Sequence, residues 1–186
     1  GAPIRIIGDY DIDGVNATHI LVTGLRRAGA RVDTVIPDRL KDGYGINEHL
    51  IEQAKEAGID TIVTCDNGIA AAKEIAYAKE LGMTVIVTDH HEIPYREEPD
   101  GSRTTILPPA DVIVNPKQAD CPYPYKKLCG AAVAWRLVEV LYQEAGVPRE
   151  EFLRLAQFAA VATIGDIMDL TGENRILVKY GLRQLE

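Results

Sequence analysis

The sequence predicts an α/β fold: a doubly wound, mostly parallel sheet flanked by helices, with a helical C-terminal part. Three observations carry this. Runs rich in β-branched residues at 4–7, 61–64 and 84–88 each end in a polar cluster, as short parallel strands do before they turn into helices. Strand and helix patterns alternate over the first ninety residues. Beyond residue 128 the pattern becomes helical throughout.

In order, residues 4–7 read as a strand and 15–28 as a helix that starts right after Gly14. Residues 32–36 form a second strand, 48–57 a helix and 61–64 a third strand. A helix over 70–81 is closed by Gly82, whose place fits a C-terminal cap. Residues 85–87 are a fourth strand. The stretch 92–127 holds seven of the ten prolines and reads as surface loops around one edge strand at 112–114. Helices follow at 131–145, 150–162 and 175–185, the last two flanking the Gly165-Asp166 turn.

At 186 residues the chain suits a single domain with a real core. Its longest apolar runs fall far short of the roughly 18 residues that suggest a membrane span, and no charged segment followed by an apolar one opens it. Neither a membrane location nor a signal peptide is expected. Gly1-Ala2 and a helical stretch running to Glu186 suggest a piece of something longer. Three cysteines without CxxC spacing (Cys65, Cys121, Cys129) support neither a zinc site nor a disulfide framework, so a reducing cytoplasm is the simplest compartment. A net charge of −8 ordinarily argues against a polyanionic partner. Basic residues come in small groups: Arg26-Arg27, Arg39 with Lys41, and Lys126-Lys127.

The polar clusters after the strands carry the chemistry. The carboxyl ends of parallel strands open onto one crevice, where such folds bind ligands. Asp9, Asp11, Asp13, Asp66, Asp89, His90, His91 and Asp166 can therefore converge across some 160 positions. So many carboxylates in one pocket repel one another unless cations sit among them, and two divalent ions would offset about half of the net charge.

Each segment also has a plainer reading. Asp9, Asp11 and Asp13 alternate, so all point one way if strand geometry holds through them; alone, such a run before Gly14 is equally a solvated turn, and Ile20 stands where a calcium loop needs glutamate. Asp66 can bridge two metals from a central strand, or simply cap the next helix. In Asp89-His90-His91, one imidazole can bind metal while its neighbour meets substrate, with Asp89 orienting a ring. His19, in mid-helix, and His49, at a helix start, read as structural. Asp169 competes with Asp166 as a ligand or a cap. Carboxylates and imidazoles without thiolates suit Mn²⁺ or Mg²⁺ better than zinc, and a shared aspartate describes a two-metal site of the kind that cleaves phosphate esters.

These motifs resemble the DHH phosphoesterase superfamily and, within it, the RecJ-like single-stranded-DNA exonucleases. The resemblance runs nearly end to end: Gly8-Asp-Tyr-Asp-Ile-Asp-Gly14, Ile36-Pro-Asp-Arg39, Gly43-Tyr-Gly45, Val63-Thr-Cys-Asp-Asn-Gly68, Thr88-Asp-His-His91, Asn115-Pro116 and Thr171-Gly-Glu-Asn-Arg175. It implies metal ligands at Asp9, Asp11, Asp13, Asp66, His90 and Asp166, with Asp66 bridging two Mn²⁺ or Mg²⁺ ions. It implies a substrate-facing His91, and we add Arg39 as a candidate contact to the scissile phosphate. The implied activity is 5′-to-3′ hydrolysis of single-stranded DNA in repair and recombination, with a single-strand-binding protein as a partner left to test. Residues 1–186 would be the catalytic DHH domain ending in the start of a connecting helix, and the family's second, basic DHHA1-type domain would be absent from this chain. Asp169 stands where the branch usually has proline, Ile12 where alanine is usual, and the segment Cys129-Gly-Ala-Ala132 where a second glycine is common.

Three rivals remain. Hydrolysis of pyrophosphate, short oligonucleotides or cyclic dinucleotides, as in other DHH branches, is disfavoured by the Gly-Tyr-Gly and Gly-Glu-Asn-Arg segments. A signalling receiver domain with Asp66 as phosphoacceptor leaves Asp89-His90-His91 without a role. A scaffold without catalysis leaves the intact acidic set unexplained.

Overall fold

The computed structural model describes residues 2–40 and 43–185. Lys41, grouped above with Arg39, lies outside the described residues, as do Gly1 and Glu186. Strand β1 (Pro3–Ile7) leads into α1 (Ile12–Arg27), β2 (Arg31–Val35), α2 (Glu48–Glu56), β3 (Thr61–Cys65), α3 (Ala72–Glu80) and β4 (Thr84–Thr88). A hairpin of β5 (Tyr95–Glu97) and β6 (Arg103–Thr105) precedes β7 (Val112–Val114). Helices α4 (Gly130–Glu144), α5 (Arg149–Arg154), α6 (Ala156–Gly165) and α7 (Gly172–Gly181) complete the order, followed by a 3₁₀ turn at Leu182–Gln184.

The main sheet is fully parallel, with strand order β2-β1-β3-β4-β7. The doubly wound fold is thus as expected, with β3 central and β7 at an edge. Alternation along each strand divides the core in two. Ile6, Val63 and Cys65 face α1, α4 and α6, whereas Ile7, Ile62, Val85 and Val87 face α2 and α3. Ile6, Ile7, Ile20, Ile51, Ile62 and Ile75 are fully buried, each contributing about 1.5–3 kcal/mol by removal from water.

Strand order reverses between β1 and β3, with α1 on one face of the sheet and α2 on the other. That reversal leaves a crevice at the carboxyl ends of these strands. Asp9 and Asp66 stand there.

Four local expectations need correction. First, α1 begins at Ile12 rather than after Gly14, because Asp11 caps it by accepting the Gly14 amide at 2.8 Å. Asp9, Asp11 and Asp13 therefore do not alternate along a strand. Second, α3 begins at Ala72 with Ala71 as its cap residue, so Asp66 is not a helix cap. Third, the helix expected at 150–162 is two helices meeting at Leu155. Fourth, the loop region contains the β5–β6 hairpin.

Candidate metal centre

Asp9, Asp13, Asp66, Asp89 and His90 are all buried, with Asp13 fully shielded from solvent. The structure brings all six sequence-predicted ligands together. Ligand atoms from Asp9, Asp11 and Asp66, from Asp13, His90 and Asp166, and from Asp66, His90 and His91 form three overlapping groups, each within 4.8 Å. His90 Nε2 lies 3.1 Å from Asp66 Oδ1, 3.5 Å from Asp13 Oδ2 and 3.7 Å from Asp166 Oδ2. Asp66 and His90 each belong to two groups.

Backbone constraints hold these side chains. Gly14 sits inside α1 because a Cβ there would lie 2.6 Å from the Asp9 carbonyl oxygen. The chain thus folds back tightly enough to set Asp9 against the start of the helix. Asp66 has a φ of 61°, in the left-handed region that non-glycine residues seldom adopt. Its neighbours impose this. Asn67 Nδ2 donates to the carbonyls of Ile7 (3.1 Å) and Cys65 (2.9 Å), and Asn67 Oδ1 accepts the Ile46 amide at 3.1 Å. Thr64 Oγ1 donates to the Asn67 carbonyl at 2.8 Å. One buried asparagine therefore ties the ends of β1 and β3 to the segment leading into α2. The Tyr44 hydroxyl donates to the Asp66 carbonyl at 2.9 Å.

Asp89 is an organiser. Its carboxylate accepts the backbone amides of Ile69, His90 and His91 and meets His91 Nδ1 at 2.7 Å. Asn115 Nδ2 donates to the His91 carbonyl at 3.0 Å. His91, about half exposed at 47%, is thereby oriented at the mouth of the crevice beside the buried His90. Asp13 also anchors a helix, since its two oxygens accept the amides of Gly130 and Ala131 at 2.6 and 2.7 Å, at the start of α4. Carboxylate oxygens carry further lone pairs, so these bonds leave room for a cation. A Cβ on Gly130 would lie 2.6 Å from Asp66 Oδ1.

The Arg39 guanidinium lies 5.6 Å from the centre of the ring of Tyr10, the residue between Asp9 and Asp11. Asp169 pairs with Lys127, His19 packs on Phe158, and His49 bonds Gln53. Sequence reading assigned no individual role to Asn67, Tyr44, Asn115 or Gly130. The first three lie in the motifs that carry the resemblance, and Gly130 directly precedes Ala131 and Ala132, so the signal was present without a mechanism attached.

The electrostatics point to cations. Burial, then the charges of Asp13 and Asp11, push Asp66 well above the carboxylate range, and the same causes raise Asp166 to about 6. Burial also raises Asp9 and lowers His90. The hydrogen bond to Asp89 raises His91. Asp9 Oδ1, Asp66 Oδ1 and both ring nitrogens of His90 are buried and make no well-aligned hydrogen bond among the described residues, the 3.1 Å approach of His90 Nε2 to Asp66 Oδ1 included. Orphaned buried polar atoms are costly, and here they share one crevice. A pair of hard divalent cations fits this donor set, since oxygens dominate and no thiolate takes part.

Fold and site together define an α/β protein with a carboxylate–histidine cation site at the switch point of its sheet. The model of the DHH family N-terminal domain matches residues 3–163. The chain belongs to the DHH family. It is 45% identical over 182 residues to the single-stranded-DNA-specific exonuclease RecJ of Bacillus subtilis (strain 168), covering 98% of this chain and 21% of that protein. A crystal structure of exonuclease RecJ bound to manganese superposes with a TM-score of 0.83 at 39% identity, covering 98% of this chain and 43% of that one. RecJ from Thermus thermophilus in complex with Mn²⁺ gives a TM-score of 0.75 at 37% identity, covering 98% and 24%. The chain thus spans less than half the length of each. No helix among the described residues is long and apolar enough to cross a membrane.

Proposed function

We propose that residues 1–186 form the catalytic domain of a metal-dependent exonuclease that hydrolyses single-stranded DNA from its 5′ end. The observation that carries this reading is the set of orphaned buried ligand atoms on Asp9, Asp66 and His90 at the crevice where strand order reverses. Similarity to RecJ proteins over nearly the whole chain supports it.

Asp9, Asp11, Asp13, Asp66, His90 and Asp166 would hold two Mn²⁺ or Mg²⁺ ions, with Asp66 shared. When bound, such ions lower the pKa of water and neutralise charge on phosphoryl oxygens. The chain's own residues do the rest. Asp89 engages Nδ1 of His91, leaving Nε2 to meet a non-bridging oxygen of the scissile phosphate, and the raised pKa favours the protonated, donating ring. Tyr44 and Asn67 hold Asp66 in its strained backbone geometry, so the site is pre-organised before substrate arrives. Arg39, beside Tyr10, remains a candidate phosphate contact. A single-strand-binding protein is a candidate partner, and the cytoplasm the proposed compartment.

The test is Mn²⁺-dependent digestion of 5′-labelled and 3′-labelled single-stranded oligonucleotides, with Asp66→Ala alongside. Mononucleotides released from the 5′ end by the native chain, and a loss of at least a thousand-fold in the variant, are expected. Near-normal digestion by Asp66→Ala would refute the assignment.

A further inference from the structure

Beside the metal centre lies a second cleft of about 700 Å³, whose walls include Glu92, Lys117, Lys126, Lys127, Ile167 and Asp169. Two of these walls start one residue from proposed site residues: Glu92 follows His91, and Ile167 follows Asp166. Glu92 also lines the cleft that holds Tyr44, Asp89 and His91, so the two clefts share a wall. Lys117 is near enough for its charge to act on both His90 and Asp166.

Its charge is opposite in sign to that of the chain. Three lysines face two carboxylates here, in a protein whose net charge is −8. The carboxylates are weak competitors for the ammonium groups. Lys117 pairs with Glu92, whose side chain is 85% exposed, and Lys127 with Asp169, whose side chain is 61% exposed. Solvent-exposed ion pairs contribute little, so a phosphate diester can take over either lysine without breaking a buried contact. Lys126 is anchored differently, donating to the Cys121 carbonyl at 2.7 Å.

Ile167 adds an apolar element. It holds a φ of 54° and is 90% exposed. A β-branched residue in the left-handed region is strained, and such strain collects at functional sites. This side chain offers a sugar or base an apolar surface at the junction of crevice and cleft.

We propose that this cleft holds the stretch of single-stranded polynucleotide adjoining the scissile phosphate. Lys117 contacts the nearest backbone phosphate, and Lys127 one further along. The assignment rests on the exonuclease reading above and adds the path that the strand follows out of the metal centre.

The test is fluorescence anisotropy of a 5′-fluorescein oligothymidylate with phosphorothioate linkages, titrated with the chain in Mn²⁺ across a series of KCl concentrations. Each phosphate contact to a single strand contributes about 0.7 to the slope of log affinity against log salt. Lys117→Gln and Lys127→Gln should each lower the slope by about that amount, and the double variant by about twice as much. Lys117→Arg should keep it. Lys73→Gln, on α3 across the sheet, should bind as the native chain does. Native slopes in both glutamine variants would overturn the cleft assignment while leaving the exonuclease reading intact. A native chain with no salt-dependent binding would overturn both.

Discussion

Asp66 concentrates the chemistry of the site in one residue. Its carboxyl is buried, faces Asp13 and Asp11, and has an oxygen without a hydrogen-bond partner. Without cations its folded-state pKa is raised, and that of Asp166 reaches about 6. The sign follows from linkage. Folding favours the neutral acids, so this contribution is full below the unfolded carboxylate pKa near 3.9. It is lost as pH rises through the folded values, starting with Asp166 around pH 6. Asp66→Asn removes one ionisable group that the cation-free fold holds protonated, and asparagine tolerates a positive φ better than most residues. In EDTA at neutral pH the variant should melt several degrees above the native chain, and its melting temperature should fall less between pH 5 and 7.5. It should also lose most of the gain on adding Mn²⁺. A melting temperature in EDTA below that of the native chain would contradict this account.

At the scale of elements, the site depends on where helices start. Asp13 joins α1 to the first turn of α4, and Gly130 leaves room there for Asp66. Gly130→Ala puts a methyl group against the Asp66 carboxylate. Overpacking of this kind costs about 1–3 kcal/mol, and calorimetry should show Mn²⁺ binding weakened at least ten-fold. Unaltered binding in Gly130→Ala would mean that the approach of α4 to Asp66 is not required. The same scale shows what was legible in the sequence. Strands β1, β3 and β4 could be read because all their positions but Thr84 are buried or half-buried and because Asp9, Asp66 and Asp89 follow them. The β5–β6 hairpin could not: its three-residue strands are exposed on every position, so no hydrophobic alternation marks them. The break at Leu155 carries neither proline nor glycine. Asp9, Asp11 and Asp13 were read as one alternating face because the spacing of charges was visible, whereas the capping bond from Gly14 to Asp11 that starts the helix early was not. The ligand candidates were legible because polar clusters follow β1, β3 and β4, and Asp166 because it closes α6 after Gly165. The clamp made by Asn67 was not, because its partners, Ile7, Cys65 and Ile46, come together only in the fold.

For the whole molecule, the proposed ligands come from four separate stretches between Asp9 and Asp166, and the sheet gathers them. Cations that bind only this assembled arrangement stabilise the entire domain. At a hundred times the dissociation constant, a single site adds about 2.7 kcal/mol. An acidic chain with a lysine-bearing cleft beside its cation centre can thus hold metal at one place and phosphate backbone at the next. The most direct test is calorimetric titration of the cation-free chain with Mn²⁺, with Asp66→Ala in parallel. Two ions per native chain, with binding weakened at least a hundred-fold or reduced to one ion in the variant, are predicted. No Mn²⁺ bound by the native chain, or identical binding curves for the two proteins, would contradict the central claim.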